Sequence, residues 1–201
     1  MTSGEPITLG PVMWISQVIM LLLTAAVLWL GVVTFEVVGL AFVVFGIGGL
    51  MIILLVAALT GKLRIGGIGP REFTVASLGI IAIVVVNIGL LWLFEIPMDV
   101  GPSSANTWAE RILVNVLFAI FEENLMLGLY SAGKAGAIPD VYLVVGASLL
   151  FVPLHAWVRG IDLFFALFLI VGRSVLTGLY AISDHSDPSY ITHILWNVVN
   201  S

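Results

Sequence analysis

Apolar stretches of roughly 20 residues follow one another along this chain, with only short connections between them. A transmembrane helix needs about 20 predominantly apolar residues, so each stretch is long enough to cross a bilayer. Hydrophobic residues make up 61% of the chain and charged residues 9%, whereas about a quarter of the residues of soluble domains are charged. The sequence therefore predicts an integral membrane protein whose first partner is the lipid bilayer.

Helices are the expected secondary structure, because backbone polar groups must be satisfied internally in hydrocarbon and the apolar runs are too continuous for barrel strands. We predict an all-α fold, a polytopic transmembrane helical bundle of about seven helices, as a single membrane domain over residues 1–201. The predicted spans are residues 12–34, 37–59, 74–96, 111–130, 141–157, 162–182 and 190–200.

The distribution of basic residues predicts the orientation. The connection after the second span carries Lys62, Arg64 and Arg71, the strongest local cationic excess, and the positive-inside rule places it in the cytoplasm. The N-terminus and the loop at Lys134 then lie in the cytoplasm too, whereas Arg159 falls outside. No Lys or Arg precedes the first apolar run, so a secretory signal is not expected and the first segment is predicted to remain as a span.

The composition also excludes several function classes. The chain has no cysteine, which excludes disulfides, thiol nucleophiles and metal sites with cysteine ligands. No basic patch indicates nucleic-acid binding. We expect no cofactor and no nucleic-acid partner.

Polar residues at bilayer depth are the features that point to function. An ionisable side chain there costs at least ~2.5 to 3.5 kcal/mol on insertion scales, so each one is a candidate site residue. They are concentrated in the second half of the chain, namely Glu122 and Glu123 in the fourth span, His155 in the fifth, Arg173 in the sixth, and His193 with Asn197 in the last.

The fourth span contains the adjacent acids Glu122 and Glu123, which point about 100° apart on a helix and can face one cavity. Asn115, seven residues before Glu122, shares its face. Like charges this close favour protonation of one acid, and a carboxylate that holds a proton more tightly is a better general base near neutral pH. The alternative is a pair at a helix end that faces water.

The fifth span places Phe151 and His155 four residues apart, so the aromatic ring can pack beside the imidazole. Pro153 between them is expected to bend the helix and to free a carbonyl group. A buried structural histidine is the alternative to a catalytic one.

The last span places His193 and Asn197 four residues apart on one face. An imidazole N–H and a carboxamide N–H are suitable donors to an oxyanion, and such donors act strongly at low dielectric. The alternative is a polar seam that joins helices through hydrogen bonds.

Together these segments resemble the CPBP family, also called the Abi or CAAX-protease family, whose motifs EExxxR, FxxxH and HxxxN or HxxxD lie on separate transmembrane helices. The paired acids match the first motif, Phe151 with His155 the second, and His193 with Asn197 the third. Residues 110–200 carry the resemblance and form the predicted motif-bearing catalytic core. The first three spans match only as generic membrane helices.

The resemblance implies a glutamic intramembrane endopeptidase. Glu122 would hold and deprotonate a water molecule with help from His155, and His193 and Asn197 would stabilise the oxyanion. The substrate would be a peptide or membrane protein, prenylated or not, and the expected location is the cell membrane of a prokaryote.

One position departs from the family pattern, because Leu127 stands where the first motif has arginine. Glu123 thereby loses its partner on the same helix, while Arg173 has no partner in its own span. We predict that Arg173 reaches across to Glu123 and leaves Glu122 as the base. The alternative is that Arg173 snorkels or meets a backbone carbonyl.

Three other functions remain open from the sequence. The chain could be a non-catalytic scaffold or immunity protein of the same family. It could be a small transporter or proton relay, although its first three spans carry almost no ionisable residues. Zinc could also assemble from side chains of separate helices, although no HExxH helix is present.

Overall fold

A computed structural model of the chain describes residues 7–30, 48–60, 63–95, 108–156 and 162–199. Within these ranges the chain forms helices and one short pair of strands. In chain order these are β1 (Ile7–Leu9), α1 (Pro11–Leu30), α2 (Gly48–Thr60), β2 (Leu63–Ile65), α3 (Pro70–Leu93), α4 (Trp108–Ala135), α5 (Asp140–Ala156), α6 (Leu163–Ser183) and α7 (Asp187–Val199).

The predicted all-α bundle is confirmed, with seven helices in the described ranges. Three segments are long and apolar enough to cross a membrane, namely Pro70–Leu93, Asn115–Ala135 and Leu163–Ser183. Large apolar side chains also cover the outer surface of α3, where Trp92 is 82% exposed, and so large an apolar surface is typical of contact with lipid. Parts of the predicted spans 12–34 and 37–59 lie outside the described residues.

Helix α4 is the centre of the bundle. In the 18-residue apolar stretch of α4, 61% is buried, against 22% in the corresponding stretch of α3 and 33% in that of α6. It packs against α2, α5 and α7, and α6 packs between α3, α5 and α7. The acids at positions 122 and 123 therefore lie on the helix that other helices surround most completely.

A close approach of backbones holds α2 against α4. A Cβ atom added to Gly49 of α2 would lie 2.2 Å from the carbonyl carbon of Asn124, one residue after the paired acids. One added to Gly128 would lie 2.8 Å from the carbonyl oxygen of Gly49. Small residues at such contacts let membrane helices pack at short range, so α2 supports α4 directly behind the acids.

The strand pair was not predicted. β1 and β2 are parallel, with Ile7 opposite Leu63, and Thr8 also bridges to His185 just before α7. Strands of three residues are too short to show an alternating pattern. They tie the N-terminal segment to the loop that leads into α7.

The start of α7 also caps α1. The Asp187 carboxylate accepts hydrogen bonds from the backbone N–H groups of Val12 at 3.0 Å and Met13 at 3.1 Å, as expected for an acid at a helix N-terminus. A Cβ atom at Gly10 would lie 2.2 Å from the His185 ring, so only glycine fits this contact. Asp187 therefore fixes the origin of the helix that carries His193.

Among the basic residues used to predict the orientation, Lys134 has its charge balanced by nearby carboxylates. Lys134 is buried and forms ion pairs with Asp140 at 3.1 Å and Asp184 at 3.2 Å. These carboxylates balance its charge, so it adds less to the cationic excess of its loop than the sequence suggests. Lys62 and Arg159 lie outside the described residues.

Candidate active site

Glu122 and Glu123 lie in the interior of α4, with exposed fractions of 9% and 0%. The alternative of a helix-end pair facing water is therefore wrong. Because consecutive helical residues point about 100° apart, the two side chains meet different neighbours. Glu122 faces α5 and α7, whereas Glu123 faces α6 and α7.

Hydrogen-bond donors surround the Glu123 carboxylate. Arg173 lies with Nη1 2.5 Å from Oε1 and Nη2 3.3 Å from Oε2. Oε2 also accepts hydrogen bonds from the Tyr180 hydroxyl and, at 2.7 Å, from the Ser189 hydroxyl. His193 Nδ1 lies 2.8 Å from Oε1. A carboxylate has about four lone-pair sites, so these donors satisfy it fully; we call Glu123, Arg173, Tyr180 and Ser189 the Glu123 network.

The predicted contact between Arg173 and Glu123 is confirmed, and the alternative of a snorkelling arginine is wrong. Arg173 is 1% exposed, its Nε donates to Thr177 Oγ1 at 3.1 Å, and its guanidinium lies 5.4 Å from the centre of the Phe151 ring. Leu127, where the family motif has arginine, is instead part of an apolar cluster. A buried guanidinium on α6 thus provides the positive charge that is missing at position 127 of α4.

Two imidazole rings contact Glu122. His155 Nε2 of α5 lies 3.2 Å from Oε1, and His193 Nε2 of α7 lies 3.4 Å from Oε2. The side chains of Glu122 and His155 are 11% and 21% exposed. Glu122 is buried as well, but its side chain keeps a small exposed fraction, whereas that of Glu123 has none; we call Glu122, His155 and His193 the Glu122 site.

The partners of the two rings assign their tautomers. His155 Nδ1 lies 3.0 Å from the Phe151 carbonyl oxygen, and a carbonyl can only accept, so Nδ1 carries the hydrogen. His193 Nδ1 donates to the ionised Glu123 carboxylate in the same way. In the neutral rings both Nε2 atoms then present lone pairs toward Glu122. Hydrogen bonds at these contacts require a proton on the Glu122 carboxyl or on the rings.

The second motif has the side-chain packing that its spacing predicts. The Phe151 ring centroid lies 4.2 Å from that of His155, and Phe165 of α6 lies 6.4 Å away on an edge. Helix α5 continues through Pro153. The apolar rings and the Phe151 carbonyl together fix the orientation of the His155 imidazole.

Asn197 and Asn115 are close to each other. Asn197 Nδ2 donates to the main-chain carbonyl of Asn115 at 3.0 Å, one helical turn along α7 from His193. The sequence predicted that the Asn115 side chain supports the face of Glu122, whereas here its backbone orients the Asn197 carboxamide. Asn197 therefore contacts α4 about two helical turns before Glu122.

A second buried polar group beside the acids was missed. Asn124 and Gln17 of α1 exchange side-chain hydrogen bonds at 2.6 and 2.9 Å, and Tyr190 donates to Asn124 at 2.5 Å. Gln17 is a polar residue in an apolar helix and could have been recognised on that ground. α1 is therefore more than a generic span, because it binds the centre of α4 through an amide pair.

Ser189 and Tyr180 were also missed as neighbours of the acids. Serine is common in membrane helices, where its hydroxyl bonds to nearby backbone, and tyrosine is common near membrane interfaces, so neither gives a signal of its own. Only their positions distinguish them, because Tyr180 lies seven residues after Arg173 and Ser189 lies four before His193. Each therefore shares a helix face with a residue already predicted for the site.

A metal ion was an open alternative from the sequence. In the described part of the chain, no group of three or more His, Asp or Glu side chains has the arrangement of a metal site. His185, the remaining histidine, contacts the Gly67 carbonyl through Nε2 at 3.1 Å and accepts from the Asp187 N–H through Nδ1. It belongs to the connection before α7 and not to the Glu122 site.

No family model, curated protein or solved structure matches the chain. The resemblance to the CPBP family therefore depends on the motif residues alone, and the activity must be inferred from the chemistry of the site.

Proposed function

We propose that this chain is a glutamic-type intramembrane endopeptidase that hydrolyses a peptide bond with water activated by Glu122. One observation carries the proposal: a carboxylate buried inside an apolar bundle, with its side chain still 11% exposed, has imidazole Nε2 atoms from two other helices within 3.4 Å of its two oxygens. Buried ionisable groups at bilayer depth are costly, and this arrangement of one acid and two bases suits general acid–base catalysis.

Water activation follows from the position of Glu122 between the two rings. A water molecule beside the carboxylate gives a proton to Glu122 as its oxygen attacks the carbonyl carbon of the substrate. A doubly protonated His155 donates from Nε2 to Glu122, 3.2 Å away, and its ring is fixed by the Nδ1 hydrogen bond to the Phe151 carbonyl. The carbonyl π bond breaks, and its electron pair moves to the oxygen to form the tetrahedral oxyanion.

His193 and Asn197 are the candidate donors to that oxyanion. The only N–H of a neutral His193 ring is engaged by Glu123, so Nε2 donates only when the ring is doubly protonated. The proton taken from water reaches Nε2 through Glu122, 3.4 Å away. When the intermediate collapses, the C–N bond breaks and the leaving nitrogen takes this proton, which restores the starting protonation.

Glu123 has a supporting part in this proposal. Its oxygens are occupied by the donors of the Glu123 network and by His193, so no lone pair remains to activate water. Glu123 orients His193 instead.

The setting of the activity is the bilayer. The exposed apolar surface of α3 and the three helices able to cross a membrane support a lipid environment. The basic connection containing Arg64 and Arg71 supports a cytoplasmic N-terminus. The proposed membrane is the cell membrane of a prokaryote. The substrate is a peptide or a membrane-protein segment, as for the CAAX prenyl endopeptidases that the motifs resemble.

The competing function is that of a non-catalytic scaffold or immunity protein of the family that the motifs resemble. The Glu123 network favours it, because a saturated and fully buried ion pair stabilises a bundle without any chemistry. A transporter is supported less, since the described parts of α1 and α2 contain no acid or base. Only the Glu122 site separates the enzyme from the scaffold.

The test compares membrane peptides of cells that produce the native chain, Glu122→Gln or the matched control Glu72→Gln. Glu72 caps α3 by accepting from the Gly69 N–H and lies away from the site. We expect at least one cleaved peptide with the native chain and the control that is lost with Glu122→Gln. Cleavage should persist with a zinc chelator. Identical peptides in all three cell lines, with full biological effect of Glu122→Gln, would establish the scaffold.

A further inference from the structure

The two oxygens of Glu123 have different partners. Oε1 is shared by Arg173 Nη1 and His193 Nδ1. Oε2 accepts from the hydroxyl groups of Tyr180 and Ser189 and, at the longer distance of 3.3 Å, from Arg173 Nη2. The hydroxyl pair therefore holds the oxygen that does not contact the histidine.

A carboxylate group is planar and turns about its terminal bond, and that torsion is soft. Fixing Oε2 also fixes the position of Oε1. Tyr180 and Ser189 approach from different helices, α6 and α7, and both are completely buried, so water cannot replace either hydroxyl. Arg173 alone, with one short and one long contact, leaves this rotation less constrained.

Ser189 and His193 lie four residues apart and hence on one face of α7. The serine contacts Oε2 and the histidine contacts Oε1 of the same carboxylate. The two α7 side chains thus contact the two oxygens in register. The partner at one ring nitrogen of a histidine decides which nitrogen carries the hydrogen, so the orientation of Glu123 selects the His193 tautomer.

We propose that Tyr180 and Ser189 are positioning residues that orient Glu123 so that His193 is held with its hydrogen on Nδ1 and with Nε2 directed at Glu122. Neither residue touches the reacting atoms. The consequence for catalysis rests on the proposed peptidase function, whereas the tautomer is a property of the folded protein alone. Loss of the hydroxyl pair leaves only the longer Arg173 contact on Oε2, so the carboxylate turns more freely and the ring can take the other tautomer.

The experiment measures the ring nitrogens of His193 by 15N NMR. The full chain is labelled at its three histidines and studied in detergent micelles, and His193→Gln assigns the signal. The test protein is the double variant Tyr180→Phe with Ser189→Ala. The matched control is Tyr190→Phe with Ser183→Ala, which also removes two buried hydroxyl groups, bonded to Asn124 and to the Leu179 carbonyl.

We expect the Nδ1–H tautomer in the native chain and in the control, and a mixture containing the Nε2–H tautomer in the test protein. An unchanged tautomer in the test protein, or an equal change in the control, would overturn the proposal. The single variant Ser189→Ala, with a smaller change in the same direction, serves if the double variant does not fold.

A kinetic measurement separates this proposal from the proposed function. With a peptide that the native chain cleaves, the test protein should lose about 10- to 100-fold in kcat with little change in KM, the range found when the supporting partners of metal-bound histidines are removed. If the native chain cleaves nothing but the tautomer changes as expected, the peptidase proposal fails and the positioning role stands. If cleavage requires Glu122 but the tautomer does not change, only the positioning role fails.

Discussion

Glu122 and Glu123 are neighbours in sequence, and their surroundings differ in almost every respect. Glu123 is completely buried, and an arginine, two hydroxyl groups and a histidine satisfy both of its oxygens. Glu122 keeps a side-chain exposure of 11%, and two imidazole nitrogens lie 3.2 and 3.4 Å from its oxygens. Rotation by about 100° turns one side chain toward α5 and the next toward α6, while both contact His193 of α7, so identical side chains one residue apart acquire different partners.

The largest expected difference is between Glu122→Gln and Glu123→Gln, in both cleavage and the free energy of unfolding. Glu122→Gln should lower cleavage by about 10³-fold or more, since it removes the general base, and should change the free energy of unfolding by less than about 1 kcal/mol. Glu123→Gln should destabilise the fold by about 3 kcal/mol, because it leaves the Arg173 charge without a partner. Titration with a denaturing detergent measures the stability, and peptide release measures the cleavage. Equal loss of stability in both variants would erase the distinction.

The ion pair itself is tested by Arg173→Leu. This change leaves a buried carboxylate without its counter-charge and should cost about 3 to 5 kcal/mol in unfolding free energy. The matched control is Arg71→Leu, because Arg71 is exposed and its contact in the described part of the chain is a hydrogen bond to the Ile182 carbonyl; its effect should stay within about 0.5 kcal/mol.

A double variant refines the same test. Arg173→Leu combined with Glu123→Gln should be less destabilised than the sum of the single variants, since neither partner is then left as an unpaired charge. Simple additivity would show that the two groups do not stabilise each other.

The packing behind the acids can be tested with Gly49→Ala. The added methyl group would overlap the backbone of Asn124 and should cost about 1 to 3 kcal/mol through overpacking. The control Gly146→Ala introduces the same methyl group on α5 where nothing lies within 4 Å. Because alanine favours helix more than glycine, the control should be neutral or slightly stabilising. A neutral Gly49→Ala would contradict the close contact of α2 with α4.

The smallest expected effect is that of removing the amide pair between Gln17 of α1 and Asn124 of α4. Gln17→Leu removes the hydrogen bonds with Asn124 and should cost about 1 kcal/mol, as is typical of polar contacts between membrane helices. Cleavage should remain within about twofold of the native rate. A loss of cleavage as large as that of Glu122→Gln would extend the reaction centre to α1.

The features that could be predicted from the sequence are those whose burial in a membrane costs much free energy or requires long apolar runs. Long apolar runs revealed the helices, and the charged and imidazole groups within them revealed the acids and both site histidines. The contact of Arg173 with Glu123 was predictable for the same reason, because each charge lacked a partner on its own helix and a buried charge requires one.

Features whose burial in a membrane costs little free energy were not predictable. Tyr180 and Ser189 carry hydroxyl groups that membrane helices contain routinely, so only the packing of α6 and α7 shows that both reach Glu123. The β1–β2 pair is too short to show a periodic pattern. The tautomer of His193 depends on which nitrogen meets Glu123, and that geometry exists only after three helices have packed.

Covalent labelling with a hydrophobic carbodiimide tests most directly whether Glu122 alone of the two acids is open to chemistry. Such a reagent enters detergent micelles and couples to accessible carboxyl groups, and fragmentation of the labelled peptide by mass spectrometry distinguishes position 122 from position 123. Our account predicts the label on Glu122, together with loss of cleavage in proportion to labelling. A label on Glu123, or an equal label on both acids, would contradict it.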